Sequence, residues 1–424
     1  MKKFINLFTY VFYILISMFY TQSYTQIQST STQNMLDIKQ TVEIAYKNRP
    51  SLKALKFATQ TYEFGEKVAI SGYLPQLTLS SGESFASSSN GAQNSTTVAA
   101  SQLLYSFAGP ERLKRIAKKD TEISRLNELN HENLIRNEVE ISFLQTWLYQ
   151  EKKKTIETLS NSAKQTVDKA EHQDKLRLLG QNDWLTSAAT YANSMANVYL
   201  YLDELLASQS QLEYLLGDAF LKDGKYQTLS WDSSEQIKVK ALDYYHDLAL
   251  KNRKEIKMKN KEIEKYEESE KYYKYNYLPD FNLTGQASRA SQVVTNNVGV
   301  NLSWNLFDGA SKYYQSQQEN AKRLKSIQER ENYIQEIKYD VEKSFHDLLK
   351  YKKLLTAKDA ALAQAENAYN LAKLNYKIGN ISKVDLDNSM YAWENAKFDW
   401  LTAKVNTAIK QSELFFACGY PENI

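Results

Sequence analysis

One unit occurs twice in this chain, and the duplication constrains everything else. AYKNRPSLK at 45–53 returns as ALKNRKEIK at 249–257. YLPQL at 73–77 returns as YLPDF at 277–281, LLYS at 103–106 as NLFD at 305–308, and LRLLGQN at 176–182 as NYKIGNI at 375–381. The landmarks keep one order and a nearly constant offset of about 200 residues. Each copy reads helix, strand, strand, very long helix, turn, helix. The predicted helices are 35–72, 110–178 and 182–216 in the first copy, and 238–276, 310–377 and 382–417 in the second.

The helices rest on spacing. Val341, Leu348, Leu355, Leu362, Tyr369 and Tyr376 recur every seven residues, as do Leu386, Trp393 and Trp400. A sustained heptad marks helices packed side by side as coiled coils. Only 13 glycines and 5 prolines interrupt 424 residues. A helix of about 67 residues is ~100 Å long at ~1.5 Å per residue, several times the ordinary globular length.

The strands rest on alternation. Val298, Val300, Leu302, Trp304 and Leu306 alternate with Gly299, Asn301, Ser303 and Asn305; Phe281, Leu283, Gly285 and Ala287 alternate with Asn282, Thr284, Gln286 and Ser288. The first-copy strands, about 76–86 and 95–107, alternate less cleanly, because Glu83 and Gln102 fall on the nominally apolar faces. A length of 10–13 residues suits a tilted transmembrane strand. Tyr73, Phe85, Tyr105, Phe107, Tyr277, Phe281, Trp304 and Phe307 gather at the strand ends, where a membrane barrel carries its aromatic girdles. Pro75 and Pro279 end a helix and force extended backbone ahead of them. Gly109 and Gly309 allow the return turn, and Pro110 fits a first helical position. Pro75, Pro279, Gly109 and Gly309 are the expected helix–strand switches.

The N-terminus, MKKFINLFTYVFYILISMFYTQS, has two lysines and then an apolar run. It reads as a secretory signal over 1–25, with cleavage between Ser23 and Gln28. The expected organisation is then a first repeat at 35–217, an equatorial linker at 218–237 and a second repeat at 238–419. No later stretch is apolar enough for a membrane helix. Four strands cannot close a barrel, and an open edge in lipid costs several kcal/mol per unpaired group. In a membrane, therefore, several copies must pool their strands.

The formal charge of +3 includes two lysines of the signal, and this argues against nucleic acid as the main partner. Cys418 is the only cysteine, so no internal disulfide and no cysteine metal cluster can form; it reads as a small buried residue near a helix end. His131, His172, His246 and His346 are widely spaced, and none forms HExxH or Glu-x-x-His. Glu342 and His346 lie four apart and read as a solvated surface pair. The glycines do not form a phosphate loop. No catalytic residue, metal or cofactor is expected.

The duplicated unit, YLPQL and YLPDF before the strands, LLYSF and NLFDG after them, and GNISKVDLDNS at 379–389 together resemble the TolC-like outer membrane efflux protein family over about residues 35–420. The resemblance implies an α+β fold: a long α-helical coiled-coil barrel continuous with an antiparallel β-barrel shared by a homotrimer, four strands per chain. It implies an exit duct in the cell outer membrane, reaching into the periplasm, for small molecules or proteins. The implied partners are a periplasmic adaptor and an inner-membrane pump, with outer membrane lipid around the barrel. The adaptor-contact tips match Leu179, Gly180 and Gln181, and Ile378, Gly379 and Asn380. The pore constriction matches Asp385, with Asn388 where a second acid often stands and Asp387 adjacent. Asp385 has another reading as well: Ser382-x-x-Asp385 is a capping box, and the two roles can coexist. The alternative to a channel is a periplasmic or surface coiled-coil structural protein with the strands as a small cap. A carboxylate-bridged metal enzyme fails on ligand spacing.

Overall fold

The computed structural model describes residues 35–85, 92–175, 181–217, 221–222, 225–231, 239–290 and 293–421. The signal-like segment lies outside them, as do Leu179 and Gly180. Nearly all of the described chain belongs to one compact unit, Leu36–Ile424.

In chain order the elements are β1 (Met35–Leu36), α1 (Ile38–Asn48), α2 (Pro50–Ser71), β2 (Gln76–Phe85), β3 (Ala92–Ser106), α3 (Pro110–Lys175) and α4 (Gln181–Leu216). Three two-residue strands follow: β4 (Leu221–Lys222), β5 (Lys225–Tyr226) and β6 (Thr228–Leu229). Then come α5 (Leu242–Asn252), α6 (Lys254–Tyr275), β7 (Asp280–Ala290), β8 (Val293–Ser303), α7 (Ser311–Lys377) and α8 (Lys383–Ala417). The fold is α+β, with α3 and α7 at 66 and 67 residues, each ~100 Å long.

One expectation is corrected. The predicted helices 35–72 and 238–276 are each two helices, broken at Arg49 and Arg253, whose ψ angles of 120° and 125° are extended. Arg49 precedes Pro50, which disfavours the helical conformation before it. Lys254 exerts no such force on Arg253. There the cause is tertiary: Gly419 packs tightly onto the backbone of Asn252 and Arg253, where a Cβ would stand 3.1 Å from it. Arg253 then turns to Asp340 at 3.6 Å, as Arg49 turns to Glu138 at 2.7 Å.

Each break sits over its own core. Ala45 and Leu52 flank the first and pack with Ile135, Val139 and Phe143 of α3 and with Leu212, Leu215 and Leu216 of α4. Ala249 and Ile256 flank the second and pack with Ile337, Val341 and Phe345 of α7 and with Leu414, Ala417 and Cys418 at the end of α8. Position for position these are the same contacts. Burying the leucine, isoleucine, valine and phenylalanine side chains among them stabilises by ~1.5–3 kcal/mol each, which is what holds the breaks shut. A ladder of ion pairs joins the copies: Lys119–Glu264 at 2.6 Å, Lys265–Asp120 at 2.7 Å and Lys261–Glu122 at 3.2 Å run between α3 and α6.

The four long strands make one antiparallel sheet in the order β2-β3-β7-β8. Its central pair, β3 with β7, joins the two copies. The heptad residues of α7 and α8 meet along their hairpin: Tyr369 stacks on Trp393 with centroids 5.5 Å apart, and Trp400 donates to Asp359. Val341 and Leu348 are buried, whereas Tyr376 near the tip is exposed.

Candidate functional site

Three regions carry the functional reading: the sheet, the hairpin tip and the seam above the tip. In the sheet, the register sorts the side chains into two faces. Leu77 stands opposite Ala100 and Leu79 opposite Val98. Across the next ladder Ala100 faces Gly285, Val98 faces Ala287 and Tyr105 faces Phe281. Phe281, Leu283 and Gly285 in turn face Leu302, Val300 and Val298. Directly opposed residues share a face, so this face is mostly apolar from Phe281 to Ala287, a band of ~20 Å at ~3.4 Å per residue, interrupted by Gln102 opposite Leu283 and Asn296 opposite Ala287. It is bare in the single chain: Val298 is 79% exposed. The other face carries Thr78, Ser80, Thr97, Ser101, Asn282, Thr284, Gln286, Ser288, Asn297 and Asn301. Its members bond to one another, as in Asn301 to Thr284 at 2.8 Å and Thr97 with Ser288 at 3.0 Å.

Of the two misfit residues, Glu83 lies past one end of the apolar band and Gln102 lies within it, opposite Leu283 near its helix end. Glu83 sits beyond Ser81 and Thr96, where the band has already turned polar. Gln102 lies at the helix end and donates to the Tyr73 carbonyl at 3.3 Å. Trp304 does the same for the Tyr277 carbonyl at 2.9 Å. Pro75 and Pro279 follow these carbonyls by two residues, between helix and strand. On the return side Gly109 precedes Pro110, the first residue of α3, while Gly309 and Ala310 both have positive φ before α7.

At the tip, α7 ends in a Schellman motif. The Gly379 N–H donates to Tyr376 O at 3.1 Å and the Asn380 N–H to Asn375 O at 2.9 Å, with Gly379 at φ 79°. Ile378, Gly379 and Asn380 are exposed. The opposing turn has only Gln181 among the described residues, as the first residue of α4. Ser382 and Asp385 form a reciprocal capping box: Asp385 N–H donates to Ser382 Oγ at 3.2 Å, and Ser382 N–H to Asp385 Oδ2 at 3.1 Å. Asp385 is nevertheless exposed, and so is Asn388 three residues on. Asp387 is turned inward, 5% exposed, and paired to Lys383 at 2.5 Å.

Above the tip, α3, α4, α7 and α8 enclose a cavity of about 170 Å³ lined by Ser162, Thr166, Ser187, Thr190, Tyr369, Lys373, Lys383, Asp387 and Met390. The inner stripe of α8 continues upward as Asp387, Met390, Glu394, Phe398, Leu401 and Val405, all buried. Glu394 is the residue that sequence reasoning missed. It is 3% exposed, and neither carboxylate oxygen has a hydrogen-bond partner. Burial pushes its carboxyl up to about 7. Its place seven residues after Asp387 was the available signal. Among the described residues no group of three or more His, Cys, Asp or Glu could hold a metal. Glu342 and His346, 3.9 Å apart, are both exposed.

Residues 246–420 match the family model described as Outer membrane efflux protein. No curated protein sequence matches the chain. Solved structures match it over almost its full length. CusC, from a study of conformational changes accompanying folding and transmembrane channel formation, superposes with a TM-score of 0.75 at 15% identity, covering 95% of this chain and 97% of its own. The Campylobacter jejuni CmeC outer membrane channel gives 0.74 at 14% identity, over 94% and 90%. The Neisseria gonorrhoeae MtrE outer membrane channel, in its open state, gives 0.70 at 14% identity, over 94% of each chain. Residues 246–420 thus belong to the outer membrane efflux protein family, and the chain as a whole has the fold of the TolC-like outer membrane efflux channels.

Proposed function

We propose that three copies of this chain pool their sheets into a 12-stranded barrel in the outer membrane. The helices continue as a tunnel into the periplasm, and the assembly is the exit duct of a tripartite efflux or secretion system. The observation that carries this reading is the sheet itself. It has one apolar face, one polar face, and outer strands β2 and β8 with no further strand partner among the described residues. Such edges are unstable in water or lipid until another copy pairs with them. The exposed apolar band would then meet lipid, with Tyr105, Phe281 and Trp304 at its lower rim. The hydroxyl and amide face would line the duct.

At the other end, the tips at Leu179, Gly180 and Gln181 and at Ile378, Gly379 and Asn380 are proposed to meet a periplasmic adaptor that links the duct to an inner-membrane pump. Asp385, exposed while holding its cap, is proposed to line the constriction as one carboxylate per chain, with Asn388 beside it. Asp387, engaged by Lys383, is assigned to the seam. The test is the mass of the mature protein extracted from outer membranes in mild detergent, corrected for bound detergent. A mass near three chains supports the duct. A monomer, or protein confined to the soluble fraction, overturns it in favour of a coiled-coil structural protein.

A further inference from the structure

Glu394 has no role in the duct as proposed, yet it is the most anomalous side chain in the helices. A carboxylate taken out of water without a partner is costly, and it neutralises rather than remain charged. The stripe that holds it is otherwise built for packing. Asp387, one heptad below, is compensated by Lys383, whereas no ion pair involving Glu394 occurs among the described residues. The stripe packs against the other hairpin: Phe398 meets the ring of Tyr201 at 5.1 Å, and the Tyr391 hydroxyl donates to Thr190 O at 3.2 Å.

The charged and titratable groups on the neighbouring helices can be named one by one. From α4, Tyr201 faces it; burial first, and the Glu394 charge next, raise the Tyr201 hydroxyl. From α3, Lys152 lies over the Tyr201 ring at 5.6 Å; burial lowers it, and the acids acting on it are Asp399 and Glu204. From α7, Lys358 pairs with Asp399 at 2.6 Å, Asp359 accepts from Trp400, Tyr369 stacks on Trp393, and Lys373 lies toward the tip in the cavity. On α8 itself, Lys397 covers the Trp393 ring at 5.4 Å. Among the described residues no cation is bonded to either carboxylate oxygen of Glu394.

We propose that Glu394 is a proton-operated latch on the seam between the α3–α4 and α7–α8 hairpins. Protonated, it lies dry in the stripe and α8 stays seated on the α3–α4 hairpin. Ionised, it recruits water and loosens the seam. The direction follows from the two environments. In the seated seam the group holds its proton up to about pH 7; hydrated, it would release it near the ordinary glutamate value of ~4.3. Between those values loosening releases a proton, so each pH unit of rise favours the loosened seam about tenfold, and above about pH 7 the effect levels off. Acid locks the seam and neutrality frees it. This goes beyond the duct reading, because it concerns two hairpins of one chain and holds whatever the assembly transports.

The test is hydrogen–deuterium exchange of residues 184–204 and 387–405 in the mature protein in mild detergent. It is followed from about pH 5 to about pH 8 and corrected for intrinsic exchange. The wild type is expected to exchange about tenfold faster per pH unit up to neutrality and then to plateau. Glu394→Gln, permanently neutral, is expected to stay slow and flat, and Glu394→Leu likewise if the glutamine variant folds poorly. A wild type without this slope, or a neutral variant that keeps it, overturns the latch. Infrared titration gives a second readout: a protonated carboxyl band that persists near pH 6 and is missing in Glu394→Gln supports the latch. Its absence from the wild type rejects it.

Discussion

A Cβ placed on Gly419 would stand 3.1 Å from the backbone nitrogen of Arg253, the residue at which helix α5 breaks from α6. Gly217 occupies the matching place over Asn48 in the first copy, with φ 63° against 76° at Gly419, but leaves 3.5 Å to the nearest side-chain atom. The same joint is therefore built twice with different tolerances.

Alanine at these two positions is expected to separate the tolerances. Gly217→Ala adds only the left-handed backbone penalty of ~1–2 kcal/mol. Gly419→Ala adds that and a backbone collision, and is expected to cost more by at least ~1 kcal/mol. Denaturant unfolding of the two variants in the same detergent checks the order. Equal losses would mean that the 417–421 segment shifts aside freely.

The capping and gating readings of Asp385 separate by paired substitution. Ser382→Ala removes half the capping box and costs ~1 kcal/mol of helix stability while leaving the carboxylate in place. Asp385→Asn removes the charge and keeps an acceptor; Asp385→Ala removes both. In planar bilayers, Asp385→Asn and Asp385→Ala are expected to lose cation selectivity, Asp385→Ala to widen the leak through the tip, and Ser382→Ala to keep selectivity. Unchanged conductance and selectivity in both Asp385 variants would leave the residue as a cap alone.

The two faces of the sheet predict opposite outcomes for one kind of substitution. Val298→Lys puts an ammonium on the apolar face at mid-band and is expected to cost ~2–4 kcal/mol, lowering outer membrane assembly. Asn297→Lys, one residue away on the polar face, is expected to assemble normally and to shift the conductance toward anions. Membrane fractionation and single-channel recording read the pair.

The ladder between α3 and α6 gives an acid limit. Hydrogen bonding from Lys119 holds the Glu264 carboxyl below its usual value. Burial would raise the Glu122 carboxyl, but bonding to Lys261 and Lys119 holds it low as well. A depressed carboxylate contributes stability that is complete above its unfolded pKa and is lost as pH falls through the folded value. Exchange protection of residues 115–125 and 259–268 is therefore expected to fall below about pH 4. Glu264→Gln should shrink that loss. The pairs are partly exposed, so the expected share is no more than ~1 kcal/mol each.

The parts of the fold legible in the sequence are those set by local chemistry. Pro75 and Pro279, standing after a helix, bar it from continuing, and Val298 to Leu302 alternate whatever lies around them. Tyr369 and Trp393 announce a hairpin by their heptad places. The break at Arg253 was not legible, because KNRKEIK is good helical sequence and the cause sits more than 160 residues away at Gly419. Glu394 was hidden for another reason. On helices whose other faces are filled with Glu and Lys, one more glutamate looks solvated until the partner helix is in place. Asp387 and Asp385, two residues apart, differ only in which side of α8 they occupy.

The pairing of Ser95 with Ala290 fixes the order of events when the chain is made. Strand β3 is synthesised nearly two hundred residues before the strand that covers its edge, so the first hairpin must travel with an open ladder. Closing so long a loop is slow, and an uncovered edge invites pairing with the wrong chain. The sheet of one chain can thus be completed only once β7 and β8 of the second copy have emerged, ahead of the long helices α7 and α8.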